Sequence, residues 1–215
     1  MASVGSAIPA RGKGANRWLP RNLHTSDSGL AFIYNIEAAP GVSDHLYWPG
    51  GSSGVTLGAG YDMKGRSQSA ITHDMTAIGL AQAVAGKIAA AAGLHGAKAQ
   101  AFADDNEDLV SLTAGQETGL LKLIIPHYEA IVKRNVHALL TQYEFDALVS
   151  FSYNPGGSVR PVARAIDAGH IAAAMNIVRG RIITGGHKSQ GLVNRRHLEI
   201  DLFLNGNYHL SKRKK

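Results

Sequence analysis

The chain contains no cysteine among its 215 residues. Disulfides and thiolate zinc sites are thereby excluded, and the composition fits folding in a reducing compartment. No stretch approaches the ~18 apolar residues of a membrane span, so no transmembrane segment is expected. The N-terminus lacks an apolar core of the ~7–15 residues that make an ordinary signal peptide. Acids are absent from the first 26 residues, which hold Arg11, Lys13, Arg17 and Arg21, and from the last four, Lys212, Arg213, Lys214 and Lys215. These ends carry +8 against a whole-chain charge of +6, so the stretch between them carries −2. Basic arms of this kind favour polyanions: nucleic acid, anionic lipid or envelope polymers. The acidic balance of the body argues against a dedicated nucleic-acid binder, and no nucleic-acid partner is expected.

What is present is an ordinary globular composition, 45% hydrophobic, in a chain long enough to bury roughly 70% of its unfolded surface as a monomer. Residues 1–25, rich in Gly, Ala and Arg, read as a basic N-terminal arm, residues 26–206 as the folded domain, and residues 207–215 as a basic tail. Ser26, Asp27 and Ser28 offer helix N-caps. Leu30, Ile33, Tyr34 and Glu37 follow at one-face helical spacing, and Pro40-Gly41 stops the helix, which puts Glu37 in its last turn on the apolar side.

The texture then changes to short β-prone pieces separated by Pro, Gly and Ser, "HLYWPGGSSGVTLGAGYDM", a small hairpin or three-stranded ribbon. Beyond it the chain reads as helical almost to its end. Residues 74–92 are Ala-rich and helix-prone. Capping boxes stand at Thr113/Gln116 and Thr141/Glu144, and a break or kink is expected at Pro126. Further helices are expected near 159–168, 170–179 and 189–204. The fold class is α+β, mainly α: a small N-terminal β-hairpin lobe and a larger helical lobe, with a cleft between them as the natural ligand site.

Three places can carry chemistry. Glu37 has apolar neighbours on its helical face and stands at the negative end of the helix dipole. Both favour a neutral acid, the form that cleaving a glycosidic bond requires. The bland alternative is a surface glutamate. On a straight strand, Thr56, Gly58, Gly60 and Asp62 would share one face: a bare floor bordered by a hydroxyl and a carboxylate, on which a sugar chain could rest. The bland alternative is a turn in which the glycines serve φ alone. In the third place, "GGHKSQGLVNRRHLEIDLFLNG", Leu192, Leu198, Leu202 and Phe203 read as core. Arg195 is there either in a solvated i, i+4 pair with Glu199 or turned inward toward Glu37. None of the ten histidines shows His-x-x-x-His spacing beside an acid, so no metal and no cofactor is expected.

Taken in order, Glu37-Ala38-Ala39-Pro40-Gly41, Thr56-Leu57-Gly58-Ala59-Gly60, "FDALVSFSYNPGG" at 145–157 and "GGHKSQGLVNRR" resemble the phage-type lysozymes of glycoside hydrolase family 24, the muramidases used as endolysins. The resemblance covers residues 26–206 and implies a lysozyme-like fold. It implies hydrolysis of the β-1,4 bond from N-acetylmuramic acid to N-acetylglucosamine in peptidoglycan. Glu37 becomes the general acid, Asp62 the general base or electrostatic stabiliser, and Thr56 the positioner of water. Gly58 and Gly60 form the floor, Asn154 lines the far side of the cleft, and Arg195 braces Glu37.

The chain departs from the family where most members place a second carboxylate ahead of the threonine. Here that region reads "LYWPGGSSG". Tyr61 also replaces a frequent histidine. A variant resembling the killing domain of the bacteriocin pesticin places its aspartate six residues past the threonine, which fits Asp62, with Asp44 as fallback. By resemblance the protein is made in the host cytoplasm and acts on the cell wall. A lytic transglycosylase and a polyanion-binding module are the alternative readings.

Overall fold

The computed structural model describes residues 15–154 and 158–209. The chain forms two compact units, residues 33–124 and, together, residues 1–32 and 125–215. The divisions fall inside α1 (Asp27–Glu37) and α5 (Ala114–Asn135).

In the unit of residues 33–124, α1 ends where Pro40-Gly41 was expected to stop it, with Gly41 at φ +79°. Two short antiparallel strands follow, β1 (Thr56–Leu57) and β2 (Tyr61–Asp62). Tyr47 bridges Thr56 on its other edge, which completes a three-stranded ribbon. The Ala-rich, helix-prone stretch 74–92 carries the end of α2 (Gln68–Ala77) and all of α3 (Gln82–Ala89). Gly79 at φ +88° takes the left-handed conformation that glycine adopts without steric cost, and the helix ends there. The packed pair α2–α3 is followed by α4 (Ala97–Asp105) and a 3₁₀ turn at Glu107–Leu109. Ile33, Val55, Leu57, Met63, Ile71, Met75, Ile88, Leu120 and Leu121 close this unit's core. Each such side chain contributes roughly 1.5–3 kcal/mol by leaving water.

The second core surrounds α6 (Gln142–Tyr153), buried continuously from Glu144 to Tyr153 and opened by the expected Thr141/Glu144 capping box. α6 packs on α9 (Gln190–Asn205), and α7 (Val159–Asp167) on α8 (Ile171–Arg179). Between α8 and α9 lies a second hairpin that sequence reading had assigned to the helical run, β3 (Ile183–Thr184) and β4 (His187–Lys188). Its two-residue turn, Gly185-Gly186, has positive φ at both positions, as a type I′ turn requires. Pro126 neither ends nor divides its helix: α5 runs through it for 22 residues. Burial of Leu120, Leu121, Ile124 and Ile125 offsets the ~3 kcal/mol that an interior proline costs.

Polar groups on the buried α6 are satisfied locally. The Asp146 carboxylate accepts from the Ser26 amide (3.1 Å), the Ser26 hydroxyl (2.6 Å), Gln142 Nε2 (3.0 Å) and the Tyr208 hydroxyl (2.7 Å). Ser26 in turn caps α1 through Gly29 N. A Cβ on Gly29 would sit 2.5 Å from Asp146 Cγ, so only glycine fits there. Residues 15–25, read from sequence as part of the arm, are held to this unit. Trp18 exchanges main-chain hydrogen bonds with Leu140, Glu129 accepts from Thr25 N, and Arg17 pairs with Glu144. Residues 1–14 and 210–215 lie outside the described residues.

Candidate active site

Glu37 ends α1, half-buried, just ahead of a turn stitched by the buried Ser43. The Ser43 hydroxyl accepts from Ala39 N (3.1 Å) and donates to Ala39 O (3.2 Å), while its carbonyl accepts from Gly58 N (2.7 Å). The turn after the acid is thus tied to the tip of the β1–β2 hairpin.

At that tip the sequence-based geometry is corrected. Thr56, Gly58, Gly60 and Asp62 do not lie along one straight strand. The chain reverses at 58–60, with Gly58 at φ +60° and Gly60 at φ +112°, and Thr56 pairs directly with Asp62. The glycines serve the turn. A Cβ on Gly58 would also meet Leu120 Cδ1 at 3.1 Å, so this turn lies flat against α5. The correction brings hydroxyl and carboxylate closer than a straight strand could, because directly opposed residues have Cα atoms about 4.5–5.5 Å apart and share one face.

The Asp62 side chain is oriented by main-chain amides: Oδ1 accepts from Lys64 N (2.7 Å) and Oδ2 from Gly54 N (3.2 Å). Thr56 is 2% exposed and donates its hydroxyl to Gly54 O at 3.3 Å. Tyr47 bridges Thr56 and donates its hydroxyl to Gly58 O at 3.3 Å. Its phenol is pushed up to about 12, first by burial and then by the negative charges of Glu37, Glu117 and Asp62.

Glu117 was missed by sequence reading. It is 4% exposed on α5, its Oε2 accepts from the Tyr34 hydroxyl at 2.6 Å, and its Oε1 is buried with no hydrogen-bond partner among the described residues. A signal existed: Glu117 falls on the apolar stripe Leu120, Leu121, Ile124, at i, i+3, i+4 and i+7. Asp44, the fallback acid, pairs with His45 Nε2 at 3.3 Å. Tyr61, in place of the family's frequent histidine, is fully buried, donates to Asp74 Oδ2 at 2.5 Å and stacks under Arg66. Burial and Asp74 raise its phenol well above the usual range.

Arg195 and Asn154 belong to the other unit, where they share a network. The sequence alternatives for Arg195 included a solvated pair with Glu199; the pair forms, at 2.9 Å, but both partners are buried. Arg195 also donates to Ser150 O (2.9 Å). Arg196, unremarked in the sequence, is fully buried. It pairs with Glu199, donates to Asn154 Oδ1 (2.8 Å), and places its guanidinium 4.8 Å from the Phe151 ring centroid. Two guanidiniums thus share one carboxylate, and Arg196 fixes Asn154. Leu202 and Phe203 are core as expected, whereas Leu192 and Leu198 are half-buried. Among the described residues no group of three or more His, Asp and Glu side chains could hold a metal ion.

Solved structures share this architecture. An endolysin from Escherichia coli O157:H7 phage FAHEc1 superposes with a TM-score of 0.56 at 23% identity, covering 86% of this chain and 96% of its own. The muramidase domain of SpmX from Asticaccaulis excentricus gives 0.56 at 22% identity, over 85% of this chain and 99% of its own. A mutant P22 lysozyme gives 0.56 at 20% identity, with the same coverage of 85% and 99%. These likenesses establish a mainly helical, lysozyme-like fold. In sequence, an endolysin of Bacillus phage PZA is 36% identical over 98 residues, which is 44% of this chain. The match spans 38% of that relative's own length. Residues 36–148, which contain Glu37, Tyr47, Thr56, Asp62 and Glu117, match the model of a domain of unknown function, DUF8812, and the chain belongs to that family.

Proposed function

We propose that this protein is a peptidoglycan hydrolase, a muramidase that cuts the β-1,4 bond between N-acetylmuramic acid and N-acetylglucosamine. The observation that carries this reading is the direct pairing of Thr56 with Asp62 on a hairpin whose tip is tied through Ser43 to the turn that follows Glu37. The lysozyme-like neighbours and the phage endolysin relative support it. Glu37 donates a proton to the departing glycosidic oxygen. Asp62, aimed by two amides, takes the proton of the attacking water or stabilises the positive charge that develops on the sugar ring. Gly58 and Gly60 keep the hairpin tip low.

The low exposure of Thr56 favours one second reading. A hydroxyl already given to Gly54 O is poorly placed to orient water, and a lytic transglycosylase needs the acid but no activated water. Mass spectrometry of the released muropeptides decides. Reducing N-acetylmuramic ends support the hydrolase; anhydromuramic ends overturn it in favour of the transglycosylase.

We further propose that the protein acts as a monomer, is made in the cytoplasm of the bacterial host, and works on the wall. Its basic ends hold it to anionic envelope polymers. No described helix is long and apolar enough to cross a membrane. Because residues 15–25 are packed, the arms are tested by deleting residues 1–14 and 210–215, with Tm measured alongside to check that the fold is kept. The deletion weakens lysis of intact cells more than of purified wall; equal loss on both refutes the role.

A further inference from the structure

The body's charge of −2 conceals a segregation. Between residues 159 and 188 the sequence has Arg160, Arg164, Arg179, Arg181 and Lys188 against Asp167 alone, a net +4, which leaves −6 for the remainder of the body. All five cations are exposed, and none is paired with a carboxylate among the described residues. The one acid faces elsewhere: Asp167 accepts from His137 N (2.9 Å), Ala138 N (2.8 Å) and His137 Nδ1 (3.0 Å).

The fold gathers these cations. α7 turns Val159, Val162, Ala163 and Ile166 inward, which leaves Arg160 and Arg164, one turn apart, on its outer face. A short link through Gly169 (φ +77°) brings α8 back against α7. Helices joined so tightly run antiparallel, so Arg179 at the end of α8 returns toward Arg160 at the start of α7. Arg181 and Lys188 follow in the β3–β4 hairpin, whose approach is fixed by Arg196 Nε donating to Arg181 O at 3.0 Å. Exposed guanidiniums without a carboxylate partner, of which Arg179 gives one N–H to Asn176 Oδ1 (2.5 Å), are suited to phosphate, whose oxygens they engage bidentately.

We propose that this α7–α8–hairpin face docks a phosphodiester-linked polymer of the cell wall and so concentrates the enzyme on its substrate. The choice of polymer rests on the muramidase reading above; the choice of a polyanion does not. A membrane surface fits less well, because interfacial binding needs a broad outward apolar face, and the larger apolar side chains of α7 and α8 are buried (Val159, Val162, Ile166, Met175, Val178) or half-buried (Ile171, Ile177), with Ile183 the exposed large aliphatic of the stretch. Single-stranded nucleic acid fits less well because residues 159–188 hold no Phe, Tyr or Trp to stack a base, only the imidazoles of His170 and His187.

The test uses the full chain carrying Glu37→Gln, so that the wall survives the assay. Its binding is measured to purified walls with their phosphodiester polymer intact and to the same walls stripped of it with hydrofluoric acid. Arg160→Glu/Arg164→Glu and Arg179→Glu/Lys188→Glu are each expected to weaken binding to intact walls by about tenfold or more, with a shallower salt dependence. The corresponding Gln variants lose less. Binding to stripped walls is expected to be weak and insensitive to these changes. In the Glu37 background, hydrolysis of stripped wall is expected to be unaltered by them.

Undiminished binding by the charge-reversed chains overturns the proposal. So does equal affinity of the unreversed chain for stripped and intact walls, or its preference for anionic vesicles or DNA at the same ionic strength. A chain with Glu37 that cuts no stripped wall contradicts the muramidase reading instead, and the binding comparison still decides the docking face.

Discussion

Thr56 and Asp62 face each other as direct partners across the antiparallel pair β1–β2, and Gly54 supplies the main chain that both side chains touch: its carbonyl accepts from the Thr56 hydroxyl and its amide donates to Asp62 Oδ2. Three residues of one ribbon thereby fix the hydroxyl and the carboxylate relative to each other.

The first consequence concerns Gly54. A Cβ there would lie 2.3 Å from Asp62 Oδ1 and 2.7 Å from Lys64 N. Gly54→Ala must therefore displace the Asp62 carboxylate without altering the charge of the site. It is expected to cost about 1–3 kcal/mol of stability and to lower kcat on purified wall. Gly65→Ala, which meets nothing within 4 Å, is the control and should leave both unchanged. Urea denaturation and turnover, measured side by side, check the pair.

Asp62 and Asp44 compete for the role of second carboxylate. Asp62→Asn is expected to reduce turnover by roughly 10²–10³-fold. It should cost only about 1 kcal/mol of stability, because one amide bond to its side chain is lost. Asp44→Asn should leave turnover nearly intact, since its pairing is with His45. The reverse ranking in steady-state kinetics would move the role to Asp44.

Tyr34 holds the buried Glu117 by a 2.6 Å hydrogen bond one turn ahead of Glu37. Tyr34→Phe should destabilise by about 1.5–3 kcal/mol, because it takes the described donor from a buried carboxylate whose other oxygen already lacks one. Tyr34→Phe/Glu117→Leu should be more stable than Tyr34→Phe alone, since removing both polar partners also removes the buried charge. Chemical denaturation of both variants measures the difference.

Asp146 gives a pH signature. Burial raises its carboxyl above the ordinary value, against the hydrogen bonds from Ser26 and Tyr208. Between the unfolded value of about 3.9 and that raised value, the folded state binds more protons than the unfolded state. This group's contribution is thus fully present below the unfolded value and is lost as pH rises through the folded one. Asp146→Asn lacks the contribution and should fall further behind the unmodified protein in Tm as pH drops from 7 toward 4. A constant gap would contradict the assignment.

Much of the fold was legible because its signals are local. Ser26, Thr113/Gln116 and Thr141/Glu144 cap helices as expected, and α1 ends at Glu37 ahead of Gly41, so Glu37 stands in the last turn as expected. The hairpin tip was misread for a definite reason. Strands of two residues are too short for alternation to distinguish a straight strand from a reversal, and the sign of φ at Gly58 and Gly60 decides. The Gly185-Gly186 turn was a readable hairpin signal passed over because helical patterns flank it. Glu117, and the Arg196–Glu199–Asn154 network, depend on contacts between elements distant in the chain, and periodicity alone does not specify them.

The central claim is that Glu37 delivers the proton that breaks the glycosidic bond, and turnover of purified peptidoglycan by Glu37→Gln measures it most directly. The account predicts a loss of about 10²-fold to 10⁴-fold with Tm unchanged. A variant that releases reducing muropeptides at close to the unmodified rate would contradict it.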